Sequence, residues 1–95
     1  MPVLTIGWAG IFVPLLPECG GLNLLNDTVR VTDDVFNENG CGTEITVTRG
    51  NSQVVATVVD KCDNCPAGDV DLSPGAFAKI GSVAEGRVKV NWNFI

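Results

Sequence analysis

Ninety-five residues with a net charge of −5 make one small domain, residues 1–95, which is 45% hydrophobic. The acidic balance and the scattered Lys and Arg residues exclude nucleic acid and anionic membranes as partners, because both require clustered positive charge. These 95 residues contain no His and no Tyr, which excludes Ser-His-Asp and Cys-His catalysis and metal sites with His ligands.

Four cysteines in so short a chain favour two disulfides, and therefore a secreted or extracellular protein. Small domains have thin cores and often need such covalent links. Met1–Ile6 lacks the basic start and the long apolar run of a signal peptide, so we interpret the sequence as a mature domain with an initiator Met. No apolar run reaches the roughly 18 residues of a membrane span, and we expect a monomer.

The first half of the chain favours short strands separated by loops. Val3–Phe12 is apolar and carries glycines, which predicts a buried strand with a bend. Residues 13–27 contain the prolines and glycines of an irregular segment. Asp27–Thr32 predicts a short strand, and Asp33–Phe36 predicts one helical turn with its acids at the end that the helix dipole favours.

The clearest hairpin of the sequence follows. Thr43–Thr48 alternates apolar and polar residues, which predicts a strand with one buried face. Arg49–Ser52 has the composition of a turn. Gln53–Asp60 returns as a nearly continuous apolar strand, so we expect both of its faces to be buried.

One short helix and one strand complete the predicted elements. Ser73–Gly81 predicts a helix with Ser73 as its N-cap and Gly81 just beyond its C-terminus. Arg87–Phe94 alternates strictly and predicts a strand that directs Trp92 into the core. Short strands with one capped helix in a small chain predict a mainly β fold, a small closed barrel.

The pair Cys62 and Cys65 allows a zinc knuckle, a redox motif or a structural disulfide. A zinc knuckle needs a second such pair or His ligands, and a redox CxxC opens a helix, whereas a proline follows this pair in a loop. We therefore favour a disulfide and no metal, which leaves Cys19 to pair with Cys41. That loop of about 23 residues would contribute on the order of 3 kcal/mol.

Four acids near this pair differ in their surroundings. They do not match the ligand pattern of an EF-hand, which ends on a Glu. We interpret Asp63 and Asp69 as solvated loop residues. Asp60 ends an apolar strand and Asp71 lies between Val and Leu, so we expect both to be half-buried and to be candidate functional acids. The alternative role for Asp71 is a capping or loop hydrogen bond.

Three further features have both functional and structural interpretations. Trp8 is either an exposed ring that stacks on sugars or a core residue, and the sequence leaves both open. Asn26–Thr28 is a glycosylation sequon, which matters in a secreting eukaryote. The loops Val13–Pro17 and Asn23–Asp27 are candidate protein contacts, since exposed leucine pairs often mark interfaces.

A resemblance to a known superfamily is carried by segments that cover most of the chain. They are GWAGIF…ECG, NDTVRVTDDVF and CGTEITVT…VVDKCDNCPAGDVDLSPGAF…GRVKVNWNF. Together they resemble the double-psi β-barrel of the barwin-like and expansin-like families, which include rare lipoprotein A domains, loosenins and a small bacterial papain inhibitor. The resemblance implies a six-stranded double-psi β-barrel with one or two short helices, two disulfides including Cys19–Cys41, and an open polysaccharide groove.

The same resemblance implies a site. Asp60 and Asp71 match the groove acids of expansins, of which the second is essential for wall loosening. The family's groove Thr is replaced by Gly10, and its groove Tyr is absent near Cys62. The related endoglucanases need a second carboxylate from the first strand, and Trp8–Pro17 contains none.

We therefore expect a secreted, non-hydrolytic, expansin-like or loosenin-like protein that binds cell-wall glucan or chitin. Its expected ligand-binding residues are Asp60, Asp71, Gly10 and Trp8, and we expect no cofactor and no metal. One alternative is a protein-binding module on the same barrel, such as a cysteine protease inhibitor or defence effector. Another is a lytic, glycan-cleaving enzyme in which Asp71 would be the catalytic acid.

Overall fold

A computed structural model describes residues 4–20 and 27–95. Within these ranges the chain forms six β-strands, two short α-helices and a 3-10 helix at Val83–Glu85. The strands are β1 (Thr5–Ile11), β2 (Thr28–Thr32), β3 (Glu44–Arg49), β4 (Ser52–Cys62), β5 (Val70–Leu72) and β6 (Val88–Phe94), and the helices are α1 (Asp33–Asn39) and α2 (Pro74–Ala78). None of the helices in the described part of the chain has the length and apolar character needed to cross a membrane.

The six strands close into a barrel in the order β1-β5-β2-β4-β3-β6. The pairs β1–β5 and β2–β4 are parallel, and the other four pairs are antiparallel. Closure leaves no strand of the barrel with an unpaired edge. The structure confirms the predicted six-stranded, mainly β barrel with short helices and two disulfides.

The interior of the barrel is filled by one contiguous cluster of mostly β-branched side chains. Val58, Leu72 and Phe77 are completely buried, and each such side chain contributes roughly 1.5–3 kcal/mol through removal from water. Trp92 is also buried, and its indole N–H donates a 2.8 Å hydrogen bond to the carbonyl oxygen of Gly68. The predicted core position of Trp92 is therefore confirmed.

The predicted hairpin is present as β3 and β4. Gly50 adopts φ 58° in the turn between them, a backbone conformation that glycine reaches without a steric penalty. Strand β4 continues two residues beyond the predicted end, to Cys62. Its central residues 56–59 are all buried, as the continuous apolar run predicted.

A β-bulge between β2 and β4 determines which side chains face outward. Val29 faces Val58, whereas the next residue, Arg30, faces Asp60, so Val59 is an extra residue on β4. Side chains alternate between the two faces of a strand, and one inserted residue reverses that alternation. The bulge therefore brings Asp60 to the outer face, opposite Arg30.

The helix predicted over Ser73–Gly81 is shorter than expected, because α2 ends before its C-cap residue Lys79. Gly81 consequently does not occupy the position after the helix. Ser73 lies at the N-cap but makes no side-chain capping bond; its Oγ instead accepts a 3.1 Å hydrogen bond from the backbone N–H of Thr28. This hydroxyl ties the start of the helix to β2.

Two other elements differ from the sequence predictions. Helix α1 extends beyond the single predicted turn, to Asn39. Strand β5 was not predicted, because its three residues are too few to show an alternating pattern. It nevertheless pairs with both β1 and β2 and positions Asp71.

Both disulfides have the predicted connectivity. Cys19–Cys41 joins the segment after β1 to the segment after α1, and Cys62–Cys65 closes the loop after β4. The sequon at Asn26 lies outside the described residues. So do residues 23–26 of the predicted contact loop and Val3 of the first predicted strand.

Candidate functional site

Four residues from adjacent strands form one row on the outer face of the barrel. Gly10 faces Asp71, Asp71 faces Arg30, and Arg30 faces Asp60. We call these four residues the polar row. Neighbouring strands are about 4.8 Å apart, so the backbones of Asp60 and Asp71 are separated by about 10 Å with Arg30 between them.

Arg30 and Asp71 form a charge-assisted pair at the centre of the polar row. The guanidinium donates two hydrogen bonds to Oδ2 of Asp71, from Nε at 3.0 Å and from Nη2 at 2.6 Å. The side chains are 31% and 16% exposed, so solvent screens the pair only in part. The guanidinium also lies 5.1 Å from the ring centroid of Phe12, which further restrains it.

The second carboxylate oxygen of Asp71 points toward Gly10. A Cβ atom on Gly10 would lie 2.7 Å from Oδ1, which is too close for an undisturbed carboxylate. Within the described residues Oδ1 has no hydrogen-bond partner, whereas Oδ2 receives both bonds from Arg30. Glycine at this position, in place of the family's Thr, therefore leaves Oδ1 open to a ligand.

Asp60 has a different local role at the end of the row. Its Oδ1 accepts hydrogen bonds from the backbone N–H of Glu18 at 3.1 Å and from its neighbour Lys61 at 2.8 Å. The first bond fastens the segment after β1 to β4, next to the disulfide at Cys19. Asp60 thus anchors a loop beside the polar row and is half-buried, as expected.

The Cys62–Cys65 disulfide lies against Asp71. Sγ of Cys65 is 3.8 Å from Oδ2 of Asp71, and one oxygen of Asp71 and both sulfur atoms lie within 4.8 Å of one another. A zinc site would require both sulfurs as thiolates, and here they are bonded to each other. The disulfide therefore forms a wall of the site.

Trp8 continues the candidate site along β1. It lies two residues before Gly10, on the same face of the strand and about 7 Å away. The residue is 42% exposed, which answers the question that the sequence left open. The Arg87 guanidinium lies 5.1 Å from the centroid of its ring.

Asp69 binds both Trp8 and Arg87 through its two carboxylate oxygens. Its Oδ1 accepts a 3.2 Å hydrogen bond from the backbone N–H of Trp8, and its Oδ2 is paired with Arg87. Asp69 is 7% exposed, so its interpretation as a solvated loop residue was wrong. The loop folds back against β1, and the two partners compensate the burial of the charge. Asp63, by contrast, is exposed as expected.

Sequence reasoning missed both arginines of this surface. The sequence did contain a signal for Arg30, because it is the central residue of the alternating strand Thr28–Thr32 and the one charged residue in it. Arg87 had none, because its partner Asp69 lies 18 residues earlier in the sequence.

An apolar loop next to the site projects into solvent. Val13, Leu15 and Leu16 are 63%, 78% and 95% exposed. They lie between the end of β1 and the disulfide at Cys19. We call Val13–Pro17 the apolar tip.

Comparisons with known proteins agree with this fold. A protein-family profile described as "Lytic transglycolase" matches residues 32–92, which is more than half of the chain. Allergen Asp f 7 of Aspergillus fumigatus is 32% identical over 80 residues, which cover 81% of this chain and 30% of the allergen. The chain thus spans less than a third of that relative's length.

Three solved structures, of proteins from Clavibacter michiganensis and Streptomyces, have the same fold. An apo expansin of Clavibacter michiganensis superposes with a TM-score of 0.86 at 23% identity, over 98% of this chain and 50% of that chain. A mutant of that expansin in complex with cellohexaose gives a TM-score of 0.85 at 22% identity, with the same coverage of 98% and 50%. Streptomyces papain inhibitor gives a TM-score of 0.84 at 25% identity, over 98% of this chain and 94% of that chain. The chain therefore belongs to the double-psi β-barrel family described as lytic transglycolase, and its fold is that of the expansins.

Proposed function

We propose that this protein is a secreted, expansin-like protein that binds an uncharged cell-wall polysaccharide through the polar row without cleaving it. The fold supports the proposal, because the expansin mutant that shares it was solved with cellohexaose. The two disulfides support an extracellular location. The observation that carries the proposal is the open oxygen of Asp71, held in place by Arg30 and unobstructed at Gly10.

The polar row suits hydrogen bonding to a sugar hydroxyl. Oδ1 of Asp71 can accept a hydrogen bond from the hydroxyl, while Arg30 keeps the carboxylate from rotating away. A restrained acceptor loses little conformational entropy when it binds. Such a contact competes with the hydrogen bonds that hold neighbouring polysaccharide chains together. Loosening without bond cleavage is the expected consequence.

The same geometry argues against glycoside hydrolysis by Asp71. A general acid must donate a hydrogen bond to the glycosidic oxygen, whereas Oδ2 of Asp71 already accepts two hydrogen bonds from the guanidinium of Arg30. Inverting enzymes also place a water between two carboxyl groups about 6.5–9.5 Å apart. Here Arg30 lies between Asp60 and Asp71 in the register. We therefore assign Asp71 as a hydrogen-bond acceptor rather than as the proton donor of a lytic enzyme.

Trp8 extends this surface along β1, to about 7 Å from Gly10. Its exposed indole offers an apolar plane for the C–H face of a sugar ring, on the same face of β1 as Gly10. Asp69 accepts a hydrogen bond from the backbone N–H of Trp8, and the Arg87 guanidinium lies over its ring. A polysaccharide that lies along β1 would contact Trp8 and Asp71 together.

A sedimentation assay with insoluble cellulose, chitin and peptidoglycan tests the proposal. The variant is Asp71→Asn, which keeps the side chain's shape and removes its charge. Its matched control is Glu38→Gln, an exposed acid on α1. We expect the wild type and the control to bind a neutral polymer without releasing reducing ends, and Asp71→Asn to bind several-fold less. Equal binding by all three proteins would refute the proposal.

The apolar tip favours a second candidate function, protein binding. Leu15 and Leu16 are largely exposed, and isolated monomers rarely leave paired leucines in water. Streptomyces papain inhibitor shares the fold over nearly its whole length. A papain inhibition assay distinguishes this function, with Leu16→Asp as the variant. Inhibition by the wild type and its loss in the variant would support it, and no inhibition by the wild type would exclude it for papain.

A further inference from the structure

A second outward-facing surface lies on the other half of the barrel, on strands β1, β6, β3 and β4. Its residues, like those of the polar row, face one another across neighbouring strands. The surface consists of Ile6, Asn91, Thr48 and Gln53 in one row and of Asn93, Thr46 and Val55 in the next. We call these seven residues the amide face.

The alternation of buried and accessible residues shows that the amide face points to solvent. Val47, Val54 and Trp92, which alternate with its members along the strands, are buried in the core. Ile6 is 65% exposed and Val55 is 41% exposed. The face is therefore an accessible surface, with two apolar positions beside its polar ones.

The amide face has no charged residue, in a chain with 17 Asp, Glu, Lys and Arg residues in total, 11 acidic and 6 basic. Its Asn, Gln and Thr side chains offer both donors and acceptors. Among the described residues, Asn91, Gln53, Thr46 and Thr48 make no side-chain hydrogen bond. Asn93 alone uses its amide, donating to the carbonyl oxygen of Phe94 at 3.1 Å. Most of the face is thus available to a ligand.

The dimensions of the amide face suit an extended polymer. Four neighbouring strands span about 14 Å, and successive outward residues on one strand are about 7 Å apart. The first row therefore provides a continuous line of hydrogen-bonding groups, with Ile6 at one end as an apolar contact.

The chemistry of the face indicates which partner it binds. A charged ligand would find no opposite charge within the face, and the outward charges that adjoin it, Lys89 on β6 and Glu44 on β3, are of opposite sign. A second copy of this chain would bury five amide and hydroxyl groups with two apolar ones, whereas homodimer interfaces are predominantly apolar. An uncharged polysaccharide offers hydroxyls to the amides and C–H faces to Ile6 and Val55. The amides are less costly to remove from water than carboxylates would be.

We propose that the amide face is a second binding site for an uncharged polysaccharide, separate from the polar row. The substrate class rests on the proposed function, but the surface and its residues are independent of it. The two surfaces adjoin at β1, where Ile6 lies two residues before Trp8 on the same face. From β1 the polar row crosses β5 and β2 to β4, whereas the amide face crosses β6 and β3 in the other direction around the barrel. One molecule can therefore contact two polysaccharide chains, and the two contacts reinforce each other through multivalency.

Nuclear magnetic resonance titration with cellohexaose and with chitohexaose tests the second site directly. The backbone amide signals of Thr46 and Thr48, which the variant below leaves unchanged, report on the amide face, and the backbone signals of Gly10 and Asp71 report on the polar row. We expect both groups of signals to shift in the wild type. The double variant Asn91→Asp/Gln53→Glu keeps side-chain shape but adds charge, and it should abolish the shifts on the amide face alone.

The controls separate the two proposals. Asn37→Asp/Ser82→Asp adds the same two charges at exposed positions on α1 and before the 3-10 helix, and should leave both groups of shifts intact. Shifts confined to the polar row would overturn the second site and leave the proposed function standing. Shifts confined to the amide face would overturn the proposed function and support the second site. No shift with either sugar would overturn both.

Discussion

Arg30 donates both of its hydrogen bonds to one oxygen of Asp71, so the other oxygen faces the space above Gly10. Three strands must be in register for this arrangement, because Gly10, Asp71 and Arg30 lie on β1, β5 and β2. The arrangement therefore links the closure of the barrel to the presentation of a hydrogen-bond acceptor.

Removing the guanidinium should weaken the fold as well as the site. Arg30→Ala leaves a half-buried carboxylate without its partner, and we expect a loss of roughly 1–3 kcal/mol in the free energy of unfolding. Arg30→Lys keeps the charge but loses the two-pronged geometry, so its loss should be smaller. Denaturation in urea measures both. Unchanged stability in Arg30→Ala would mean that the pair contributes nothing to the fold.

Gly10 and Gly7 should respond differently to the same substitution. A methyl group on Gly10 meets the Asp71 carboxylate, which must shift against its bonds from Arg30, so Gly10→Ala should lose some stability and bind polysaccharide less well. A methyl group on Gly7 overlaps the backbone carbonyl of Gly68, and Gly7→Ala should lose about 3 kcal/mol. Thermal denaturation and sedimentation with polymer measure the two effects. The reverse order of stability would contradict this interpretation.

Asp69 should matter more to stability than its partner Arg87. Asp69→Ala removes the acceptor of the Trp8 N–H and leaves that donor unsatisfied, which should cost about 2 kcal/mol. Arg87→Ala keeps the acceptor of the Trp8 N–H, and the space left by a side chain that is 54% exposed admits water to Oδ2 of Asp69, so it should cost less. Urea denaturation followed by Trp fluorescence compares the two. Equal and small losses would show that Asp69 is only a surface acid.

The acids at the start of α1 predict opposite pH dependences. Burial and the nearby Asp63 carboxyl raise the pKa of Asp33 above its ordinary value of 3.8. Protonated Asp33 therefore stabilises the fold fully below pH 3.8, and this contribution is lost as the pH rises through the folded-state pKa. Asp33→Asn imitates the protonated form, so it should raise the Tm at pH 7 and give no gain below pH 3.8.

Asp34 is the matched control for this measurement. A 2.7 Å hydrogen bond from Thr32 Oγ lowers the pKa of Asp34, so its ionised form stabilises the fold above pH 3.8. That contribution disappears as the pH falls through the folded-state pKa. Asp34→Asn should accordingly lower the Tm at pH 7. Shifts of the same sign in both variants would contradict the assignment.

Much of the fold could be predicted from local patterns in the sequence. The strict alternation of residues 87–94 predicted the direction of Trp92 correctly, and the segment 49–52 predicted the turn of the hairpin. The spacing of the cysteines predicted the small disulfide, which left the long one by elimination. The direction of Trp92, the hairpin turn and the small disulfide depend on residues that are close in the sequence. The long disulfide follows because only two cysteines remain.

The site depended on relationships that local pattern does not contain. The bulge at Val59 falls inside a continuous apolar run, where alternation gives no register, so the pairing of Arg30 with Asp60 could not be read. The burial of Asp69 depends on β1, which precedes it by about 60 residues. The resemblance placed Asp60 and Asp71 in a groove but gave no indication that Arg30 lies between them.

The central claim is that Arg30 and Asp71 act as one unit that presents an acceptor to a sugar hydroxyl. A double-mutant cycle measures it most directly, as the affinity for insoluble cellulose or chitin of the wild type, Arg30→Ala, Asp71→Asn and the double variant. We predict that each single variant loses most of the binding and that the double variant loses little more. Binding by Asp71→Asn at the wild-type level, or additive losses in the double variant, would contradict the claim.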